Sequence, residues 1–190
     1  MSKKLEEPVL VVYTGPMFSS KTTYLLLSAE REKHAGKKLL CYKPQIDQRY
    51  HESKITTHMG WSLPSMSVST GAEMLAHATQ HTPSQDYAIF VDETFMIDGS
   101  AEAIITLHAS GYSVYVASIQ LSSSRESFAE VEKLLPFATK IDVKSSTCAI
   151  CGDDAYYTYR KIKSSDTISV GGANEYEPRC WHHMENSHND

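Results

Sequence analysis

An α/β fold is what this 190-residue sequence predicts: a parallel sheet with flanking helices and a small appended C-terminal unit. Three observations predict it. Strand-like apolar runs alternate with helix-like stretches as far as Leu135, the pattern of strand–helix–strand units. The first run leads through a glycine-containing turn straight into the first helix. Near Lys144 the composition changes, and the chain beyond it is polar, short-stranded and holds three of the four cysteines.

Each element has its own justification. Residues 9–13, VLVVY, form an unbroken apolar run, as in a strand covered on both faces. Residues 23–33 carry Leu25, Leu26, Leu27 and Ala29 and read as a helix. Residues 38–43 read as a second strand, stopped by Pro44, which has no N–H for the ladder. The polar stretch 45–65 reads as mostly loop. Residues 70–80 place Ala72, Met74, Leu75 and Ala76 in a helix capped by Ser69 or Thr70. Residues 87–93, YAIFVDE, are a buried strand ending in two carboxylates. Residues 100–109 read as a helix closed by Gly111. Residues 112–119 alternate as a strand, 122–125 are a polar loop, and 128–135 read as a further helix. Right-handed crossovers would align the strand C-terminal ends, and the ligand, along one edge. The predicted domains are 8–144 and 145–184, with residues 185–190 as a frayed tail.

Composition narrows the classes. With 41% hydrophobic and 22% charged residues the chain is ordinary for a soluble globular protein. No apolar run approaches the roughly 18–20 residues of a membrane span, so no membrane partner is expected. Residues 1–7 contain no apolar segment of signal-peptide type, and a cytoplasmic address is expected. The net charge of −5 argues against coating a nucleic acid, and no nucleic-acid partner is expected. Four cysteines in such a chain point to metal rather than disulfides; Cys41, on a predicted strand, reads as core. His34, His77 and His81 read as surface residues.

Three constellations carry chemistry. Gly15-Pro16-Met17-Phe18-Ser19-Ser20-Lys21-Thr22 follows the phosphate-loop pattern G-x-x-x-x-G-K-[ST], with Ser20 where the second glycine belongs. Its strand–turn–helix context aims backbone N–H groups and a helix N-terminus at an anionic phosphate. Lys21 adds a point charge, and the Thr22 hydroxyl is a Mg²⁺ ligand. If position 20 needs φ > 0, Ser20 costs about 1 kcal/mol; at negative φ it costs little and its hydroxyl gains a contact. The fold class is therefore a phosphate-loop, RecA-like sheet. The second constellation is Asp92-Glu93 at a strand end. Asp92 reads as the Mg²⁺ residue and Glu93, projecting differently, as the base towards a substrate hydroxyl; two solvated turn carboxylates are the bland alternative. The third is Cys148-x-x-Cys151 with Cys180-x-x-His183, spacing that suits a closed, structural Zn²⁺ site in a zinc-ribbon-like lid. His182 competes with His183, which the matched spacing favours.

These motifs, with Val170-Gly171-Gly172-Ala173-Asn174-Glu175-Tyr176, occur in an order and spacing that resembles the zinc-containing thymidine kinases, over residues 9–184. The resemblance implies transfer of the γ-phosphate of ATP to the 5′-hydroxyl of thymidine, with Mg²⁺. It implies that residues 163–179 form a lasso over the nucleoside, where Val170, Gly171 and Gly172 bring backbone to the base and Tyr176 closes on it. It further implies that Met17, Phe128 and Thr158 line the base pocket, that Asp47 and Arg49 lie near the phosphates or metal, and that Arg160 is a basic residue near the site. A homotetramer (or homodimer) and feedback by thymidine triphosphate belong to the same expectation.

Departures from the family fall near the ligands. Ser20 replaces glycine. Thr94-Phe95-Met96 stands where the family has G-Q-F, which puts Met96 in the pocket wall. Ser123 stands where an aromatic residue would touch the base, and Arg125 is kept. The rival reading is a divergent nucleotide-binding paralogue, a sensor or assembly subunit with weak or no transfer.

Overall fold

The computed structural model describes residues 7–47, 53–57, 59–162 and 171–185. Two predicted site residues, Arg49 and Val170, lie outside the described residues, as do His51, His58, the 163–170 part of the predicted lasso and residues 186–190.

The chain opens with β1 (Leu10–Thr14), α1 (Lys21–His34) and β2 (Lys38–Pro44). A hairpin of β3 (Lys54–Thr56) and β4 (Ser62–Pro64) precedes β5 (Met66–Val68) and α2 (Gly71–Ala78). Next come β6 (Tyr87–Asp92), α3 (Ser100–Ala109), β7 (Ser113–Ser118), α4 (Ala129–Leu134) and β8 (Lys140–Val143). The remainder consists of β9 (Ser146–Thr147), β10 (Asp154–Ala155), β11 (Tyr157–Arg160), β12 (Tyr176–Arg179) and α5 (Trp181–Glu185).

Six strands form one wholly parallel sheet in the order β5-β2-β6-β7-β1-β8. This is the predicted phosphate-loop architecture: β7 separates the strand leading into the loop from the strand ending in Asp92. Alternation along the strands assigns the two faces. Leu10, Val12, Ile89, Val91, Val114 and Val116 pack with Met74 of α2 and Ile104 and Leu107 of α3. Val11, Tyr13, Phe90, Tyr115 and Ala117 pack with Leu25, Leu26 and Ala29 of α1. Both faces are thus covered, which is why β1, β6 and β7 read as continuous apolar runs. Each fully buried Leu or Ile of this core contributes about 1.5–3 kcal/mol. Cys41 lies in the α1-side core, where burial pushes its thiol up to about 12 and leaves it inert.

Four readings are corrected. The stretch 45–65 contains the β3–β4 hairpin, and β5, directly after it, is a strand of the main sheet. β8 was absent from the sequence reading; Ile141 and Val143 are about half exposed, because an edge strand shows a weak apolar pattern. The first helix begins at Lys21, two residues before the predicted start. His77 and His81 are half-buried rather than surface residues. Their rings meet at a tilt, centroids 4.9 Å apart, between Tyr42, hydrogen-bonded to His77 Nδ1 at 2.8 Å, and Tyr87.

The turn after β6 also holds a buried polar group. The Thr94 hydroxyl is shielded from solvent and has no hydrogen-bond partner among the described residues. Thr94→Val keeps the shape and removes the desolvated hydroxyl, so it is expected to stabilise the fold by about 1 kcal/mol. A lower thermal midpoint for the variant would show that the hydroxyl has a use.

Candidate functional site

The C-terminal ends of β1, β2 and β6 meet at a cleft of about 920 Å³, counting its open mouth. That is the edge at which a parallel α/β sheet binds its ligands. The loop after β1 forms its floor. Gly15 sits at φ +139°, and a Cβ there would lie 2.2 Å from the Lys144 carbonyl, so the position admits only glycine. Phe18 and Ser20 both adopt left-handed backbone, at φ +63° and +60°. The open question at position 20 is therefore answered: Ser20 takes the conformation that favours glycine, and it makes no side-chain cap to α1. Ser20→Gly is expected to stabilise the chain by at most about 1 kcal/mol, since the greater freedom of unfolded glycine offsets part of the relief. ATP affinity should hold or rise; a loss would mean that the hydroxyl contacts phosphate.

The loop closes around its own lysine. The Pro16 carbonyl accepts both the Ser19 hydroxyl at 2.8 Å and Lys21 Nζ at 2.6 Å. Lys21 is 7% exposed, so its charge sits in a partly dehydrated setting where it acts strongly on an anion. α1 has no acidic residue in its first turn and Arg31, Lys33 and His34 in its last. Its dipole is compensated at the C-terminus and left bare towards the cleft.

Across the floor, Thr22 Oγ1 donates to both Asp92 carboxylate oxygens, at 3.2 and 3.3 Å. Asp92 is buried. A hydroxyl and a carboxylate converging beside a phosphate loop are the hard oxygen donors that suit Mg²⁺ bound with a nucleotide. Glu93 leaves the strand differently. Its N–H still pairs with the Ala117 carbonyl of β7 at 2.7 Å, but its backbone then turns left-handed, φ +51°, into a short 3₁₀ turn over Thr94–Met96. A non-glycine residue held there costs of order 1–3 kcal/mol and is found where geometry is functional. Glu93 is half-buried, one oxygen of its carboxylate is shielded from solvent, and it lines the same cleft as Lys21 and Asp92.

Of the other predicted residues, Met17, Phe18, Ser19, Ser20, Thr22, Gly171 and Gly172 line the cleft. Gly15 and Pro16 lie behind it as the loop's frame. Phe128, Thr158 and Tyr176 are one contact removed. Phe128 is buried in a cluster against which Met17 packs, Thr158 Oγ1 accepts the Met17 N–H at 2.9 Å, and Tyr176 lies beside Gly171. Met96 is half-buried in the 3₁₀ turn and is not among the cleft-lining residues. Asp47 is buried and lines the cleft; Arg160 stacks over the Tyr176 ring at 5.7 Å. Sequence reasoning missed Lys43, 5% exposed at the C-terminal end of β2, and Lys54 to Thr57 of the hairpin. Lys43 was detectable from its place at a strand's C-terminal end; the hairpin gave no signal.

The cysteine spacing does gather its residues. The ligand atoms of Cys148, Cys151, Cys180 and His183 all lie within 4.8 Å of one another. Cys151 and Cys180 Sγ are 3.8 Å apart, and His183 Nδ1 is 3.7 Å from Cys148 Sγ and 3.2 Å from Cys180 Sγ. Tetrahedral Zn²⁺ with bonds of about 2.3 Å to sulfur separates two sulfurs by about 3.8 Å, so the cluster fits a metal such as zinc. Burial raises the Cys148 thiol, but backbone N–H groups of Cys180, Cys151 and Ile150 outweigh it and bring it below the ordinary thiol value, while hydrogen bonds with Cys148, Asp153 and Cys180 hold the Cys151 thiol above it. His183, not His182, completes the set. This unit reaches the phosphate loop twice, through Thr158 to Met17 and through Ser146 Oγ donating to the Phe18 carbonyl at 3.2 Å.

No helix among the described residues is long and apolar enough to cross a membrane. Among solved structures, the chain is similar to the Legionella pneumophila ATPase DotB at 16% identity and TM-score 0.46, over 78% of this chain but only 44% of that one. It is similar to the genome packaging NTPase B204 from Sulfolobus turreted icosahedral virus 2, in complex with sulfate, at 12% identity and TM-score 0.47, over 74% of this chain and 76% of that one. Both are too remote to bear on function. The thymidine kinase family model, by contrast, matches residues 9–184, nearly all of this sequence. The cleft and the four-residue cysteine–histidine cluster that fits a metal both stand within that span, and the chain belongs to the thymidine kinase family.

Proposed function

We propose that this chain is an ATP:thymidine 5′-phosphotransferase. One observation carries the reading: a single cleft joins Lys21 and the Thr22–Asp92 pair to Glu93 and the glycine pair Gly171-Gly172. The first group suits a triphosphate; the second suits a hydroxyl to be deprotonated and a planar base to be approached by backbone. The loop amides and Lys21 hold the phosphates. Thr22 and Asp92 hold Mg²⁺, which neutralises phosphate charge when bound. Glu93 accepts the proton of the 5′-hydroxyl as that oxygen bonds to the γ-phosphorus. The bond to the bridging oxygen breaks, and ADP leaves with it. Positioning and charge carry the rate, since little covalent chemistry falls to the protein.

Residues 8–144 are the proposed kinase unit and 145–184 the proposed lid, with Zn²⁺ held by Cys148, Cys151, Cys180 and His183 as a structural cross-link. A cytoplasmic homotetramer under thymidine triphosphate feedback completes the proposal. The test is ATP-dependent phosphorylation of thymidine, with deoxycytidine and deoxyuridine alongside. Thymidine 5′-phosphate is the expected product. Nucleotide binding without transfer would favour the sensor reading, to which the left-handed Ser20 lends support.

A further inference from the structure

Gly171 and Gly172 line the cleft, and the turn that carries them is closed by its own residues. The Glu175 carboxylate accepts the Gly172 N–H at 2.7 Å. The Gly172 carbonyl accepts the N–H groups of Tyr176 at 3.0 Å and Glu175 at 3.2 Å. Both backbone polar groups of Gly172 are therefore engaged inside the turn, so Gly172 offers a bound base close backbone contact rather than a hydrogen bond. Two more bonds tie the turn to the end of β11: Lys161 N–H to the Glu175 carbonyl at 2.8 Å, and Lys161 Nζ to the Ala173 carbonyl at 2.5 Å. A Cβ on Gly171 would lie 2.9 Å from the Tyr176 ring and 3.2 Å from Glu175 Oε2. The Gly171 backbone thus rests directly on these two side chains. Pairing of β12 with β11 then connects the turn to Thr158, and so to the Met17 N–H of the phosphate loop.

We propose that Glu175 is a positioning residue for the nucleoside: its carboxylate bond to the Gly172 N–H holds the glycine pair at the cleft wall. It thereby sets nucleoside affinity without taking part in phosphoryl transfer. The inference rests on the nucleoside-kinase reading. The physical reason is preorganisation. Two consecutive glycines have the greatest backbone freedom of any pair, and ordering them only on binding would weaken the complex. A charged acceptor makes the bond roughly twice as strong as a neutral one.

The experiment compares steady-state kinetics of the full-length wild type, Glu175→Ala and Glu175→Gln. Glu175→Ala should raise the KM for thymidine about tenfold or more, the scale of a lost charge-assisted bond. Its kcat should stay within about twofold and its KM for ATP should not move. Glu175→Gln keeps an acceptor oxygen and the side-chain size, so it should recover most of the thymidine KM; it also guards against a misfolded alanine variant. If the wild type phosphorylates thymidine and Glu175→Ala has the wild-type KM, the inference fails alone. Equal losses in kcat, or an equal rise in the ATP KM, likewise overturn it. If the wild type phosphorylates no nucleoside, the kinase reading fails and takes the inference with it.

Discussion

Glu93→Gln is expected to lower the turnover of thymidine by about 10²–10⁴-fold, the range that general-base catalysis supplies. The substitution keeps the size and hydrogen-bonding shape of the side chain and removes only its ability to take a proton. The left-handed backbone at position 93 is equally strained for either residue, so the turn over Thr94–Met96 should hold. Asp92 keeps its contact with Thr22, so nucleotide binding should persist. Nucleoside binding, read by calorimetry, should change little, because the carboxylate acts in the transition state rather than on the resting complex. Turnover within twofold of wild type would remove Glu93 as the base and leave the cleft without an assigned proton acceptor.

Removal of metal from the cysteine–histidine cluster should have the second large effect. The purified chain is expected to carry one zinc per chain, and chelation should expose the region 145–184 to protease before the sheet. Among the described residues, the buried apolar cluster of this unit comprises Cys148, Ala155 and Cys180, with Tyr176 and Met184 the other buried large apolar side chains. So small a core cannot offset the conformational entropy of ordering the segment, and the cross-link is what remains. Structural zinc sites of this kind supply apparent binding free energies of about 10–16 kcal/mol. Loss should spread to catalysis, because Thr158 and Ser146 bind the backbone of Met17 and Phe18 in the phosphate loop. Cys180→Ser should reproduce the chelated state. A metal-free chain with unaltered protease resistance, or one containing no stoichiometric zinc, would refute the structural role.

The elements that the sequence revealed most clearly are the ones buried on both faces. β1, β6 and β7 occupy the middle of the sheet, so each is a solid apolar run with polar boundaries. β5 and β8 form its two edges, and each is short and partly exposed. With one side facing solvent, such strands need few apolar residues, and the pairing that makes them strands lies far away in sequence. The β3–β4 hairpin escaped notice for the same reason, and with it went the cleft wall from Lys54 to Thr57.

By itself the sequence determined the alternating α/β plan, the phosphate loop, the acidic strand end, the metal spacing and the family. Each of these is written in neighbouring residues, where backbone geometry makes spacing equivalent to position. Only the tertiary structure decided that Ser20 sits at positive φ, and that Glu93 turns out of its strand into the cleft of Lys21 and Asp92. It also decided that Lys43 is buried beside them, and that the unit after β8 grips the loop through Thr158 and Ser146. The floor of the cleft joins residues 70 positions apart, Thr22 and Asp92, and the grip on the loop spans 128 and 141, from Phe18 to Ser146 and from Met17 to Thr158. No local propensity encodes such a distance; the packed sheet does.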